Sequence, residues 1–171
     1  MGNLRIELSK EQFDSISLYK DNEYLMFNYE ELLMHPIMDN MFPMSEAKRI
    51  YKLMTNGQKA LFDTATIIAK SYGGGIHEYF YSYFGFYSGA IKSLKLIGDS
   101  EMINMFKKAR IKFIKSFLPW NRIILLKRNS KNCDYESESY DWFDDWFYKH
   151  APKMQQLMID YMKLNYFEYI K

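Results

Sequence analysis

The chain has 171 residues, 48% of them apolar and 18% aromatic, enough for one substantial core and too few for two comfortable ones. Its 23 basic and 21 acidic side chains leave a net charge of +2, which argues against a uniformly anionic surface, and the single cysteine, Cys133, excludes an internal disulfide. No run of about 18 uninterrupted apolar residues occurs, so a membrane span is not expected. The start, Met1 to Glu7, has neither a basic-then-apolar leader nor the Ser or Thr that a myristoylation signal needs where Ile6 stands, so the expected setting is cytoplasmic.

Ser9 with Gln12 forms a capping box ahead of Phe13 and Ile16, and Tyr24 to Met34 is apolar enough to pack as a second short helix before Pro36 stops it. Between Pro36 and Pro43 an apolar loop is expected to lie against the body. Ser45 caps a short helix through Leu53, and Thr55 with Gln58 supplies a second capping box, each cap worth about 1 kcal/mol. The helix that follows runs to about Tyr72, with Leu61, Ala65, Ile68, Ala69 and Tyr72 as its core stripe.

Gly73, Gly74 and Gly75 then break it, since each glycine costs about 1 kcal/mol against alanine in a helix interior and frees the backbone for positive φ. A phosphate-cradling reading of these glycines lacks both a preceding strand and a Lys at P-loop spacing. Ile76 to Phe84 is almost wholly apolar or aromatic and is expected at the centre of the fold. Gly85 punctuates, Ala90 to Ile97 forms another short helix, and Gly98 takes a left-handed cap before Asp99 or Ser100 restarts one. That next helix carries Met102, Met105, Phe106, Ala109, Phe113 and Phe117 on one stripe, leaves Ile103, Ile111 and Ile114 outside it, and ends at Pro119. Arg122 to Leu126 suits a short extended piece, and Asn129 to Ser139 reads as a loop. Ser139 then caps an aromatic helix, Trp142 to Tyr148, and Pro152 opens a separate final one with Met154, Leu157, Met158, Tyr161 and Leu164 inward. The expected fold is all-α: residues 1–171 as a single-domain irregular bundle of about seven to nine helices with a Gly-rich break in its centre.

Thr55, Gly57 and Gln58, then Gly74, Gly75, Tyr79 and Phe80, then Leu94, Ile97, Gly98 and Ala109, and finally Phe143, Phe147, Tyr148 and Tyr161 follow a pattern in which the chain resembles the DNA mimic protein family. The likeness covers residues from about 50 to 171, clearest over 55–171, while 1–54 stands outside it. Gly73, Ile76, Glu78 and Ser82 depart from the family's usual Asn, Phe, Gln and Asn. The resemblance implies a helical, non-enzymatic fold with structural roles for Gly74, Gly75, Tyr79, Phe80 and Gly98. For one described member it implies an acidic surface offered to a DNA-binding transcription regulator in place of DNA.

Charge is segregated along the chain. Between 90 and 131 the bases Lys92, Lys95, Lys107, Lys108, Arg110, Lys112, Lys115, Arg122, Lys127, Arg128 and Lys131 face only Asp99 and Glu101. The sign then reverses: Asp134, Glu136, Glu138, Asp141, Asp144 and Asp145 crowd among Tyr135, Tyr140, Trp142 and Trp146. As a helix this run places about one carboxylate per 3 Å, close to the roughly 3.4 Å charge spacing of a DNA strand. Asp134, Glu136, Glu138, Asp141, Trp142, Asp144 and Asp145 are therefore the candidate contacts for a protein partner, either a DNA-binding regulator or a toxin neutralised by an immunity-type protein. Direct nucleic-acid binding ranks below both, because no helix-turn-helix accompanies the basic stretch. An enzyme using His77 and Glu78 as acid and base is the competing class, although adjacent residues on a helix point about 100° apart. No metal-ligand spacing and no cofactor motif is present, so neither a metal nor a cofactor is expected.

Overall fold

The computed structural model describes residues 9–16, 44–116 and 140–169, and every regular element among them is helical. In chain order these are α1 (Lys10–Ile16), α2 (Met44–Leu53), α3 (Asn56–Gly74), α4 (Ile76–Tyr83), α5 (Tyr87–Leu96), α6 (Ser100–Ser116) and α7 (Asp141–Leu164), with single 3-10 turns at Phe84–Phe86 and Tyr166–Glu168. Among the described residues the packed body consists of five helices, α3 to α7, where seven to nine were expected of the whole bundle. In it α3 lies against α4, α5 and α7, and α6 closes over α4, α5 and α7. The short α1 and α2 reach that core through Phe13, Ala47 and Ile50. The helix expected over Tyr24 to Met34, the loops at Pro36 to Pro43 and Asn129 to Ser139, Phe117, Pro119, the piece Arg122 to Leu126 and the Ser139 cap lie outside the described residues.

The start of α3 follows its local residues. Thr55 Oγ1 accepts from the Gln58 backbone N–H at 3.1 Å, and Gln58 Oε1 accepts from the Thr55 N–H at 3.1 Å, a complete capping box. The chain's last described turn reinforces it: Glu168 Oε2 accepts from Gly57 N at 2.6 Å, and the Glu168 carbonyl accepts from Thr55 Oγ1 at 2.8 Å. Tyr161 donates to the other Glu168 oxygen at 2.6 Å, and burial followed by that bond holds its hydroxyl well above the usual phenol range.

The centre of the molecule is α3, not α4. From Ala60 to Ile68 no residue of α3 is more than 5% exposed, whereas α4 and the turn after it leave Tyr81 and Phe84 open to solvent. Side-chain size decides this. Ala60, Thr64, Ala65 and Thr66 let neighbours approach from every side, while Leu61, Phe62, Ile67 and Ile68 each contribute about 1.5–3 kcal/mol of burial. The expected stripe is corrected at its end, because Ala69 and Tyr72 lie on the exposed side of α3 while Ile68 and Ser71 are buried.

Only one of the three glycines breaks the helix. Gly73 and Gly74 finish α3, and Gly75 turns with φ at 81°. A β-carbon there would also stand 2.8 Å from Asp144 Oδ2. Beyond the break, Tyr79 and Phe80 are buried with their ring centroids 5.1 and 5.2 Å from that of Phe106. Gly98 likewise has φ at 81°, and Asp99 restarts the chain as α6. Within α6, Ile103 joins the core while Ile111 and Ile114 remain exposed.

The two C-terminal helices expected around Pro152 are one. Helix α7 runs unbroken from Asp141 to Leu164 with Pro152 inside it. The proline removes one hydrogen bond to the Tyr148 carbonyl, yet Tyr148 and Pro152 both lie on the exposed side, where water can replace it. Phe147, Ala151, Met154 and Met158 on the opposite side are buried and hold the helix in register. Leu164, expected inward, is 79% exposed because α7 there passes the end of the body.

Candidate interaction surface

Asp134, Glu136 and Glu138 lie outside the described residues. The other members of the acidic segment occupy the first turns of α7 and divide into two kinds. Asp141 and Asp145 are exposed, as is Trp142 at 39%. Tyr148 continues the exposed face at 50%, and its ring lies 5.3 Å from that of Tyr72, at the end of α3. The result is a solvent-facing cluster of two carboxylates and three large aromatic rings drawn from α3 and α7.

Asp144 belongs to the fold instead. Its Oδ1 accepts from the Ile76 N–H at 3.2 Å, meeting an orphan donor at the start of α4, where no side chain of the local sequence does so. Burial pushes its carboxyl above the usual range, more than the Ile76 hydrogen bond and the nearby His77 draw it down. Asp144 is thus half-buried and already engaged, which removes it from the exposed anionic set.

His77 and Glu78 are not assembled into an acid-base pair. The His77 ring is exposed, 6.0 Å from that of Tyr140, while Glu78 Oε1 lies 3.4 Å from both Lys70 Nζ and Ser82 Oγ. Among the described residues no group of three His, Cys, Asp or Glu side chains is placed to hold a metal, and no helix is long and apolar enough to cross a membrane.

Two buried polar clusters were not visible in the sequence. His150 Nε2 lies 2.8 and 2.9 Å from the two oxygens of Asp99, with Trp146 stacked on the imidazole at 4.4 Å between centroids. Asp99 also accepts from Met102 N at 2.9 Å, so one carboxylate caps α6 and anchors it to α7. The sole local signal was Asp99 after Gly98. In the second cluster, Asp63 Oδ2 accepts from Tyr51 and Ser93 hydroxyls, each at 2.6 Å, while Oδ1 finds no hydrogen-bond partner among the described residues. Burial raises the Asp63 carboxyl to about 7, against the pull of both hydroxyls. The basic stretch is partly engaged too: Arg110 lies over the Tyr87 ring at 4.3 Å, and Lys112 over Tyr140 at 4.9 Å.

A family model described as DMP19-like protein matches residues 52–165, a span that contains α3 to α7 and so the whole five-helix body. The chain belongs to the DMP19-like protein family. This is a DNA-mimic family, in agreement with the glycine, Tyr-Phe and Leu-x-x-Ile-Gly residues that carry the likeness. The family match takes in Asp141, Trp142, Asp145 and Tyr148, and leaves α1 and most of α2 outside. Neither a curated protein nor a solved structure matches the chain.

Proposed function

We propose that this protein is a non-enzymatic interaction module of the DNA-mimic type, which occupies the DNA-reading surface of a transcription regulator with the exposed face of α7. The observation that carries this reading is the exposure of Asp141, Trp142, Asp145 and Tyr148 together on the first two turns of α7, beside Tyr72. Carboxylates steer a cationic partner and fix its orientation, and the rings supply the area that leaves water on contact. Mimicry is local here. With a net charge of +2 the molecule attracts a cationic surface locally, through this end, and charges farther than about 8 Å are largely screened at physiological salt.

The test is capture from extracts of the source cells, with duplex DNA as competitor. The expected result is retention of a DNA-binding protein that duplex DNA displaces, and loss of that retention in the double variant Asp141→Asn/Asp145→Asn. Retention untouched by either the competitor or the variant would refute the reading. Asp144 is left intact because its loss would disturb α4 as well.

A further inference from the structure

An open cleft of about 750 Å³ lies between α2, the start of α3 and α5. Its volume is within the range of small-molecule sites. Four lysines line it: Lys48 and Lys52 from α2, Lys59 from α3 and Lys92 from α5. Among the described residues that line it there is no acidic side chain. Among the described residues none of the four lysines forms an ion pair, whereas Lys70 and Lys153 elsewhere meet Glu78 and Glu101. Lys48 is drawn over the cleft by close passage along Gly85, where a β-carbon would come within 3.3 Å of its Nζ. Lys59 leans over the Tyr51 ring, 5.8 Å from its centroid. Asp63 stands behind the wall, its Oδ2 accepting from the hydroxyls of Tyr51 and Ser93, both of which line the cleft.

Four ammonium groups around one concavity repel one another, and a bound polyanion relieves that repulsion. Lysine is a compact point charge suited to phosphate oxygens. Phe86 and Leu96 add apolar wall, and Asn56 and Ser88 add neutral hydrogen-bonding groups. Four lysines beside an apolar wall suit a ligand with several phosphate charges at one end and a flat or apolar body at the other. We infer that this cleft binds a small phosphorylated molecule of nucleotide size. The site shares no residue with the exposed face of α7, so either reading can fail without the other.

Isothermal titration of the full chain with adenosine triphosphate, tripolyphosphate and adenosine, at low and at physiological salt, tests this. The triphosphate nucleotide is expected to bind at both salt levels and more tightly than tripolyphosphate, with adenosine giving no heat. The double variant Lys52→Glu/Lys92→Glu, two exposed positions, is expected to weaken nucleotide binding by about tenfold or more, with unchanged helicity and melting temperature. No binding of the nucleotide, equal affinity for nucleotide and tripolyphosphate vanishing at physiological salt, or full affinity in the double variant would each overturn the inference. Tighter binding of single-stranded DNA than of the nucleotide, lost in the same variant, would overturn it in favour of a nucleic-acid groove. Should the double variant unfold, Lys52→Gln/Lys92→Gln supplies the same comparison without charge reversal.

Discussion

At the N-terminal end of α3 Lys48, Lys52 and Lys92 line a cleft with no ion-pair partner among the described residues, whereas about 28 Å away along the helix Asp144 is held by the backbone of α4. The contrast follows from what helix ends require. The first turn of a helix offers backbone N–H groups and a partial positive charge, which carboxylates satisfy and ammonium groups cannot. Glu168 closes the start of α3, Asp144 that of α4 and Asp99 that of α6. Acids are therefore drawn into the fold while lysines stay at the surface. Among the described acids these three are taken into helix starts, while Asp141 and Asp145 on α7 face solvent.

The comparison breaks most severely at Asp99, where a carboxylate both caps α6 and meets His150 in the interior. Asp99→Ala leaves His150 Nε2 and the Met102 N–H without their partner, and is expected to cost about 2–4 kcal/mol. Asp99→Asn keeps an acceptor for the cap and is expected to cost less. Urea denaturation followed by circular dichroism measures both. A loss of less than about 1 kcal/mol for Asp99→Ala would mean that this acid is not a fastening of α6 to α7.

The next effect is one of pH, and it concerns Asp63, the buried acid behind the wall of the lysine cleft. Its carboxyl is raised from 3.8 to about 7, so the folded protein holds the proton more tightly than the unfolded chain does. Stability from this group is full below the unfolded value and is lost as pH rises through about 7. Asp63→Asn retains an oxygen for Tyr51 and Ser93 but cannot ionise. Denaturation midpoints at roughly pH 5 and pH 8 are expected to show the native chain losing stability between them, and the variant losing less. Equal slopes would show that Asp63 titrates as an ordinary carboxylate.

How far these features are legible in the sequence depends on the distance over which they are made. The break expected over three glycines narrows to Gly75, while the Thr55–Gln58 capping box and the restart at Gly98 and Asp99 lie within four residues and are found where the residues place them. The bonds that connect helices do not. Asp144 reaches Ile76 across 68 positions, His150 reaches Asp99 across 51, and Glu168 reaches Gly57 across 111, and no local pattern announces such pairs. The centre of the fold was misread for a different reason. Hydrophobicity favoured Ile76 to Phe84, but an aromatic-rich helix needs room, and the small residues of α3 grant access from all sides. Pro152 suggests a helix start because proline is favoured in a first turn. Burial of Phe147, Ala151 and Met154 on the opposite face carries the helix through it. The candidate contact was legible as a charge run, yet which carboxylates remain open depended on the long-range partner of Asp144.

The finest cut through the comparison separates carboxylates of one turn. Asp144→Ala removes an acceptor from the start of α4 and is expected to cost about 1 kcal/mol, the usual loss for a helix cap. Asp141→Asn/Asp145→Asn, on the exposed side, is expected to change stability by no more than about 0.5 kcal/mol while weakening partner capture. Thermal melts of the two variants side by side, with the capture assay run on each, set fold against contact within five residues. If the exposed pair destabilised the protein as much as Asp144→Ala, the acids at this end would all be structural, and the face of α7 would have no carboxylate left to offer a partner.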